Sequence, residues 1–201
     1  MSVGNHVRAF VTPLRKRAVM SLLSHRVRAR NPTMDAHPTV IWDYGYRDIN
    51  ALEIGKDVWI GPNVEILVYH RSPSSSVPGR LILGDGSIIA LGAEIRAAGG
   101  TIRVGKGSGV GQYNVVVAAN HQMRPGEAHF HTGWDEERCG VDIGENVWTG
   151  AGCIILPGTV IGDNSVIAAG SVVRGTIPPG ELWGGVPAKR IKSLGPAKSG
   201  E

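Results

Sequence analysis

Aliphatic residues recur every six positions along the middle of this chain, and no other feature restricts its fold as tightly. Ile54, Ile60 and Ile66 open the series, Leu83, Ile89 and Ile95 continue it, and Val104, Val110 and Val116 follow with an offset of three residues. The longest run is Ile143, Thr149, Ile155, Ile161, Ile167 and Val173, in which Thr149 is the one polar member. Glycine or alanine stands beside many of these positions, as in Ile54-Gly55, Ile89-Ala90 and Ile161-Gly162. A second register lies four residues after the first: Val58, Val64, Ser87, Ala93, Ser108, Asn114, Val147, Cys153, Thr159, Ser165 and Ser171, nearly all small or β-branched. A period of six matches neither an amphipathic helix at 3.6 nor an alternating strand at 2. It suits a coil with flat sides, each side one short strand whose aliphatic residue points to the axis while a glycine turns the corner. Stacked coils then pair as parallel strands, and each buries the apolar face its neighbour cannot bury alone.

The expectation is therefore an all-β fold, a parallel β-solenoid over residues 51–175, interrupted by loops at 67–82 and 121–141. Residues 1–50 form a basic N-terminal segment and residues 176–201 a C-terminal tail. With 201 residues the chain suits one body with appendages rather than two domains. Its 29 glycines are about twice the usual share and lack the period of collagen. No apolar stretch is long enough to span a bilayer, and the first 30 residues lack the apolar block of a signal peptide, so the expected compartment is the cytoplasm. There Cys139 and Cys153, which fit no metal-ligand spacing, should be thiols.

Charge is unevenly spread. Residues 1–30 hold Arg8, Arg15, Lys16, Arg17, Arg26, Arg28 and Arg30 and no acid, leaving 14 basic and 17 acidic residues elsewhere, a net −3. A nucleic-acid binder would carry its basic stripe on the folded body with aromatics interleaved, and this chain does neither. Residues 13–30 read as a helix with Pro13 in its first turn, Leu14, Ala18 and Leu22 on one line and Val19 and Leu23 beside it. A basic amphipathic helix can lie on anionic lipid. A solenoid also needs its first coil covered, and capping is the role we assign.

The stretch 143–192 contains Ile-Gly-Glu-Asn-Val-Trp, Ile-Leu-Pro-Gly-Thr-Val-Ile-Gly-Asp-Asn-Ser-Val-Ile-Ala-Ala-Gly-Ser-Val-Val and Gly-Gly-Val-Pro-Ala-Lys. It closely resembles the hexapeptide-repeat acyltransferases. Ala119-Asn120-His121 before a long loop resembles their sugar O-acetyltransferase branch, which includes maltose, galactoside and exopolysaccharide acetylating enzymes. The resemblance implies a left-handed triangular coil, a homotrimer with sites between subunits, acetyl-coenzyme A as co-substrate without a metal, and a small-molecule sugar acceptor.

Acyl transfer to a hydroxyl needs a base, and histidine, with a reference pKa of roughly 6.5, suits the task. His121 ends one coil and opens the 21-residue loop 121–141, and loops that long inside a tight repeat are usually functional or disordered. The family motif makes it the catalytic residue, with Asn120 shaping the turn beside it. His129 and His131 are read as lining the acceptor pocket. By resemblance Trp148 lies beside donor or acceptor, Ala151 and Ala169 line the pantetheine arm, and Arg174, Lys189 and Arg190 meet the phosphates. Cys153, in the small inward register, reads as core, and Asn114 as either a satisfied core amide or a site residue.

Three alternatives stay open. The same solenoid occurs in the γ-class carbonic anhydrases, which hold zinc on three histidines, but 87–120 contains no histidine to mount on a coil. Antibiotic or other small-molecule acetylation shares the histidine-loop logic. A non-enzymatic scaffold would use neither the histidine loop nor the basic tail.

Overall fold

A computed structural model describes residues 18–45 and 49–195. Three parallel sheets run the length of the molecule, and the chain visits them in rotation. The first contains Asp35–Ala36, Trp59–Ile60, Ile88–Ile89, Gly109–Val110, Trp148–Thr149, Val166–Ile167 and Glu181–Gly185, with Ala188–Ser193 added antiparallel at its end. The second contains Ile41–Gly45, Glu65–Tyr69, Glu94–Ala98, Val115–Val117, Ile154–Ile155 and Val172–Val173. The third contains Leu52–Ile54, Arg80–Leu83, Thr101–Val104, Val141–Ile143, Thr159–Ile161 and Thr176–Ile177. Each strand pairs in register with its counterpart one coil away, as Gly109 does with Ile88 and Trp148. This is a left-handed parallel β-helix.

Both sequence registers point inward. Ile60, Ile89, Val104, Ile155 and Ile167 are buried, as are Val58, Ser87, Ala93, Cys153 and Ser171. The interior is too narrow for large side chains at every position, which is why the second register is small. Apart from Ser87, its serines and threonine carry hydroxyls that bind nearby backbone: Ser108 Oγ donates to Gly144 O at 2.6 Å, and Thr159 Oγ1 donates to Leu156 O at 2.6 Å. Asn114 and Thr149, the two anomalous members of their registers, answer each other. Asn114 Nδ2 donates to Thr149 Oγ1 at 2.6 Å, and Cys153 N–H donates to Asn114 Oδ1 at 2.7 Å. Asn114 is thus a satisfied core amide rather than a site residue.

The solenoid begins earlier than its glycine-marked repeat. Ala36 and Trp42 stand six apart and Val40 takes the second register, all three buried, so residues 35–45 belong to the first coil and not to a linker. The tryptophan and the lack of adjacent glycine conceal this coil in the sequence. The chain is helical over 18–30 among the described residues; the rest of the expected helix, from Pro13, and the basic residues before it lie outside them. The buried face is Val19, Leu23 and Val27, with Leu23 and Val27 in the core cluster, whereas Leu22 is exposed. Arg28 Nη2 donates to His37 O at 3.0 Å and Arg30 Nη1 to Asn50 Oδ1 at 3.2 Å. Two of the N-terminal cations therefore fasten the helix to the first coil. No described helix is long and apolar enough to cross a membrane.

Two insertions leave the body at the same corner, between the second and third sheets. One joins Glu65–Tyr69 to Arg80–Leu83, and the other joins Val115–Val117 to Val141–Ile143 two coils further on.

Candidate active site

His121 opens the longer insertion, directly after the coil strand Val115–Val117 and the three residues that follow it. The insertion folds back on itself: His121 and Trp134 form an antiparallel bridge, Gln122 N–H donates to Gly133 O, and Asp135 N–H donates to Asn120 O, both at 2.8 Å. At the tip of this small hairpin His129–His131 form a 3-10 turn.

The imidazole of His121 is half-buried, and its Nδ1 lies 3.0 Å from the carbonyl oxygen of Thr132. A carbonyl only accepts, so Nδ1 carries the proton and Nε2 presents its lone pair. Thr132 is itself fixed. Its buried side chain sends Oγ1 toward Gln122 O and His129 O, each at 2.7 Å. Phe130 lies at a centroid distance of 5.2 Å from the imidazole, tilted by 30°, and Trp134 meets it edge-on at 6.4 Å. Phe130 is 81% exposed, an apolar ring beside the histidine that also meets the His131 ring edge-on at 6.1 Å.

The residues singled out in the sequence fall into two groups. His121, Asn120, His129 and His131 share the corner between the second and third sheets, and Arg174 follows Val172–Val173 at the same corner two coils on, about 10 Å along the axis. Ala151 and Ala169 stack at the other edge of the second sheet, where Gly170 N–H donates to Ala151 O at 2.8 Å, and a Cβ added at Gly152 or Gly170 would meet nothing. That corner is a smooth, narrow strip of exposed backbone. Trp148 stands beside it on the outer face of the first sheet, 62% exposed and paired with Gly109 and Val166. Lys189 and Arg190 lie on the final strand, whose turn includes the cis Val186–Pro187 bond. Lys189 is exposed, but Arg190 is engaged: its Nε donates to Glu181 Oε1 at 2.7 Å, while Trp183 Nε1 donates to Glu181 Oε2 at 2.7 Å. The hydrogen bond from Trp183, then that from Arg190, holds the Glu181 carboxyl below its usual range.

Neither thiol is poised to react. Cys153 is buried, and burial raises its pKa; Cys139 is raised by burial and then by the nearby Glu136 and Asp135 charges. Two concavities of about 370 and 380 Å³ run along the outer face of the third sheet around Arg103 and Asp142, and His121 lines neither.

Three residues that shape this site escaped the sequence reading. Thr132 acts through its backbone carbonyl, which has no residue-type signature. Glu136 and Trp134 are ordinary loop residues until their partners are known. A signal for Trp134 did exist: Gly99, at φ 66° in the coil before, lies where an added Cβ would collide with the Trp134 ring, so the Gly99-Gly100 pair marks where the loop lands.

The repeat is matched by the profile for bacterial transferase hexapeptide (six repeats) over residues 140–175. The mitochondrial gamma carbonic anhydrase 1 of Arabidopsis thaliana is 31% identical over 132 residues, covering 61% of this chain and 48% of the relative. The chain thus spans about half the length of that curated relative. Galactoside O-acetyltransferase of Escherichia coli K12 is 50% identical over 54 residues, 27% of each protein. Among solved structures, a hexapeptide-repeat acetyltransferase from Vibrio cholerae, complexed with acetyl-coenzyme A, shares the fold with a TM-score of 0.59 over 73% of this chain and 72% of that one, at 24% identity. With its six-residue registers and its three rotating parallel sheets, the chain carries the bacterial transferase hexapeptide repeat over residues 140–175 and is similar to these relatives.

Proposed function

We propose that the protein is an acetyl-coenzyme A-dependent O-acetyltransferase acting on a hydroxyl of a sugar or saccharide precursor. The observation that carries this reading is the hydrogen bond from His121 Nδ1–H to Thr132 O, which leaves Nε2 as a base in a loop thrown out of the coil. In the reaction Nε2 takes the acceptor hydroxyl's proton as its oxygen attacks the thioester carbonyl. The tetrahedral intermediate then expels the thiolate by breaking the C–S bond, and the imidazolium returns the proton to sulfur. A buried or deactivated thiol supports direct transfer over an acyl-enzyme. The named relatives, an O-acetyltransferase of galactosides and an acetyl-coenzyme A complex, support the donor and acceptor classes.

His121 and the Ala151–Ala169 strip lie on opposite edges of the second sheet, so a site that uses both is completed by a neighbouring copy. This supports the homotrimer. Arg174 and Lys189 are the cations offered to the phosphates, and Trp148, His129 and His131 the acceptor's surroundings.

The likeness to a carbonic anhydrase over 61% of the chain favours a second reading, hydration of carbon dioxide on zinc. The donor set fits it poorly: zinc requires three protein ligands, and among the described residues no three His, Cys, Asp or Glu side chains converge within one chain.

Release of coenzyme A thiol, followed with a panel of free and nucleotide-linked sugars, tests the proposal. We expect transfer in the wild type and a loss of about 10²–10⁴-fold in kcat for His121→Ala with coenzyme A affinity unchanged. Near-normal turnover in that variant, or one zinc per chain with no thiol release, would discard it.

A further inference from the structure

We infer that Glu136 is a positioning residue for His121, acting as the latch by which the shorter insertion, residues 70–79, holds the longer one in its working shape. The inference rests on the reading of His121 as the base. Glu136 Oε1 accepts from Ser75 Oγ at 2.8 Å and from Ser76 N–H at 2.7 Å, and its Oε2 accepts from Ser76 Oγ at 3.0 Å. Three donors from one short segment therefore converge on a single carboxylate. A second tie lies beside it, where Trp134 N–H donates to Ser74 O at 2.8 Å.

These ties reach the histidine in two steps. Trp134 is the bridge partner of His121, its carbonyl accepts from Gln122 Nε2 at 3.2 Å, and its ring lies over Gly99 and edge-on to the imidazole. Two residues before it is Thr132, whose carbonyl selects the Nδ1–H tautomer. The serine loop touches none of His121's own atoms in any hydrogen bond described above. It fixes the strand that carries the carbonyl, and the carbonyl fixes the ring. Loops of this kind sit on few buried contacts, so a small number of hydrogen bonds decides their geometry. The charged acceptor makes each of these bonds stronger than a neutral pair. The serine-rich composition of 72–76 suits this role, because a short hydroxyl side chain and its neighbouring backbone N–H can reach one carboxylate from within a single turn.

The test uses the full chain, with Glu136→Ala on one loop and the double variant Ser75→Ala/Ser76→Ala on the other, so that the latch is opened from either side. The first readout is independent of turnover: long-range ¹H–¹⁵N spectra of the His121 ring. The wild type should give the Nδ1–H pattern, and both variants should move toward the Nε2–H form that an unconstrained imidazole adopts. The second readout is kinetic. Both variants should lose about tenfold or more in kcat, the cost of a misplaced catalytic group, with coenzyme A affinity unchanged and the circular dichroism of the folded coil retained. Glu136→Gln, which keeps an acceptor oxygen, should recover part of the loss. Retention of the Nδ1–H pattern and of full kcat in both variants would overturn the latch. A wild type that transfers no acetyl group, but whose tautomer still shifts when the latch is opened, would overturn the acetyltransferase reading and leave the latch standing.

Discussion

Asn114→Val gives the sharpest test of how this narrow interior is held. Valine already fills the same register at Val58, Val64 and Val147, so the substitution preserves shape and removes only polarity. Asn114 is fully buried and makes one bond to Thr149 Oγ1 and one from Cys153 N–H. The Thr149 hydroxyl keeps other partners, Gly111 N–H at 3.1 Å and Gly109 O at 3.3 Å, so its loss is about 1 kcal/mol, one ordinary hydrogen bond. Cys153 N–H is left without an acceptor in the interior, which costs about 1–3 kcal/mol. Added apolar contact from valine offsets about 1 kcal/mol. The net expectation is a destabilisation of about 2 kcal/mol, measured by urea unfolding at one protein concentration, because assembly would otherwise shift the midpoint. Thr149→Val should cost a similar amount, since it strands Asn114 Nδ2 and Gly111 N–H. The double variant should cost less than the sum, with a coupling of about 1 kcal/mol. Stability within about 0.5 kcal/mol of wild type for Asn114→Val, or strict additivity in the cycle, would refute the pairing.

Gly99→Ala should displace the Trp134 ring and strain a left-handed backbone position, seen as a shift in tryptophan emission and a fall in kcat; an unaltered spectrum would contradict the contact. Arg174→Glu and Lys189→Glu should each weaken coenzyme A binding by about tenfold or more in calorimetric titration while leaving kcat at saturation near wild type, the signature of contacts shared by ground and transition states; unchanged affinity in both would remove these cations from the donor site. Under native conditions Cys153 should resist alkylation, because burial raises its pKa and hides the sulfur, and a rapid reaction at that thiol would argue against the buried register. The Glu136 carboxyl is held below its ordinary value of 4.5, first by Ser76 N–H and then by the Ser75 and Ser76 hydroxyls. A depressed carboxylate stabilises fully above its unfolded pKa and loses that contribution as pH falls through the folded value. Hydrogen exchange of the Ser76 amide should therefore stay slow down to the ordinary glutamate range and quicken below it, and quickening well above that range would contradict the assignment.

The six-residue register determined the coil and its inward positions, because each is a local property of one residue relative to one axis; the expected loop 67–82 shrank to 70–79 because Leu67–Tyr69 and Arg80–Ile82 pair as strands with the next coil. Ile60, Ile89 and Ile155 point inward for a reason already present in their spacing, and His121 stood out because a repeat stops there. The first coil, with Trp42 inside it and no glycine marker, was legible only once its strands paired with Trp59–Ile60 and Glu65–Tyr69. The helix face was likewise decided by what it met: Val27, not Leu22, found the core. The shape of the site depended wholly on tertiary structure. The two insertions carry no periodicity, and their conformation comes from bonds between segments far apart in the chain, such as Ser76 N–H to Glu136, 60 residues away. The tautomer of His121 depends on a backbone carbonyl eleven residues on, and every residue type carries the same carbonyl. A sequence records which side chain is present, whereas which carbonyl faces an imidazole follows only from how the loop closes.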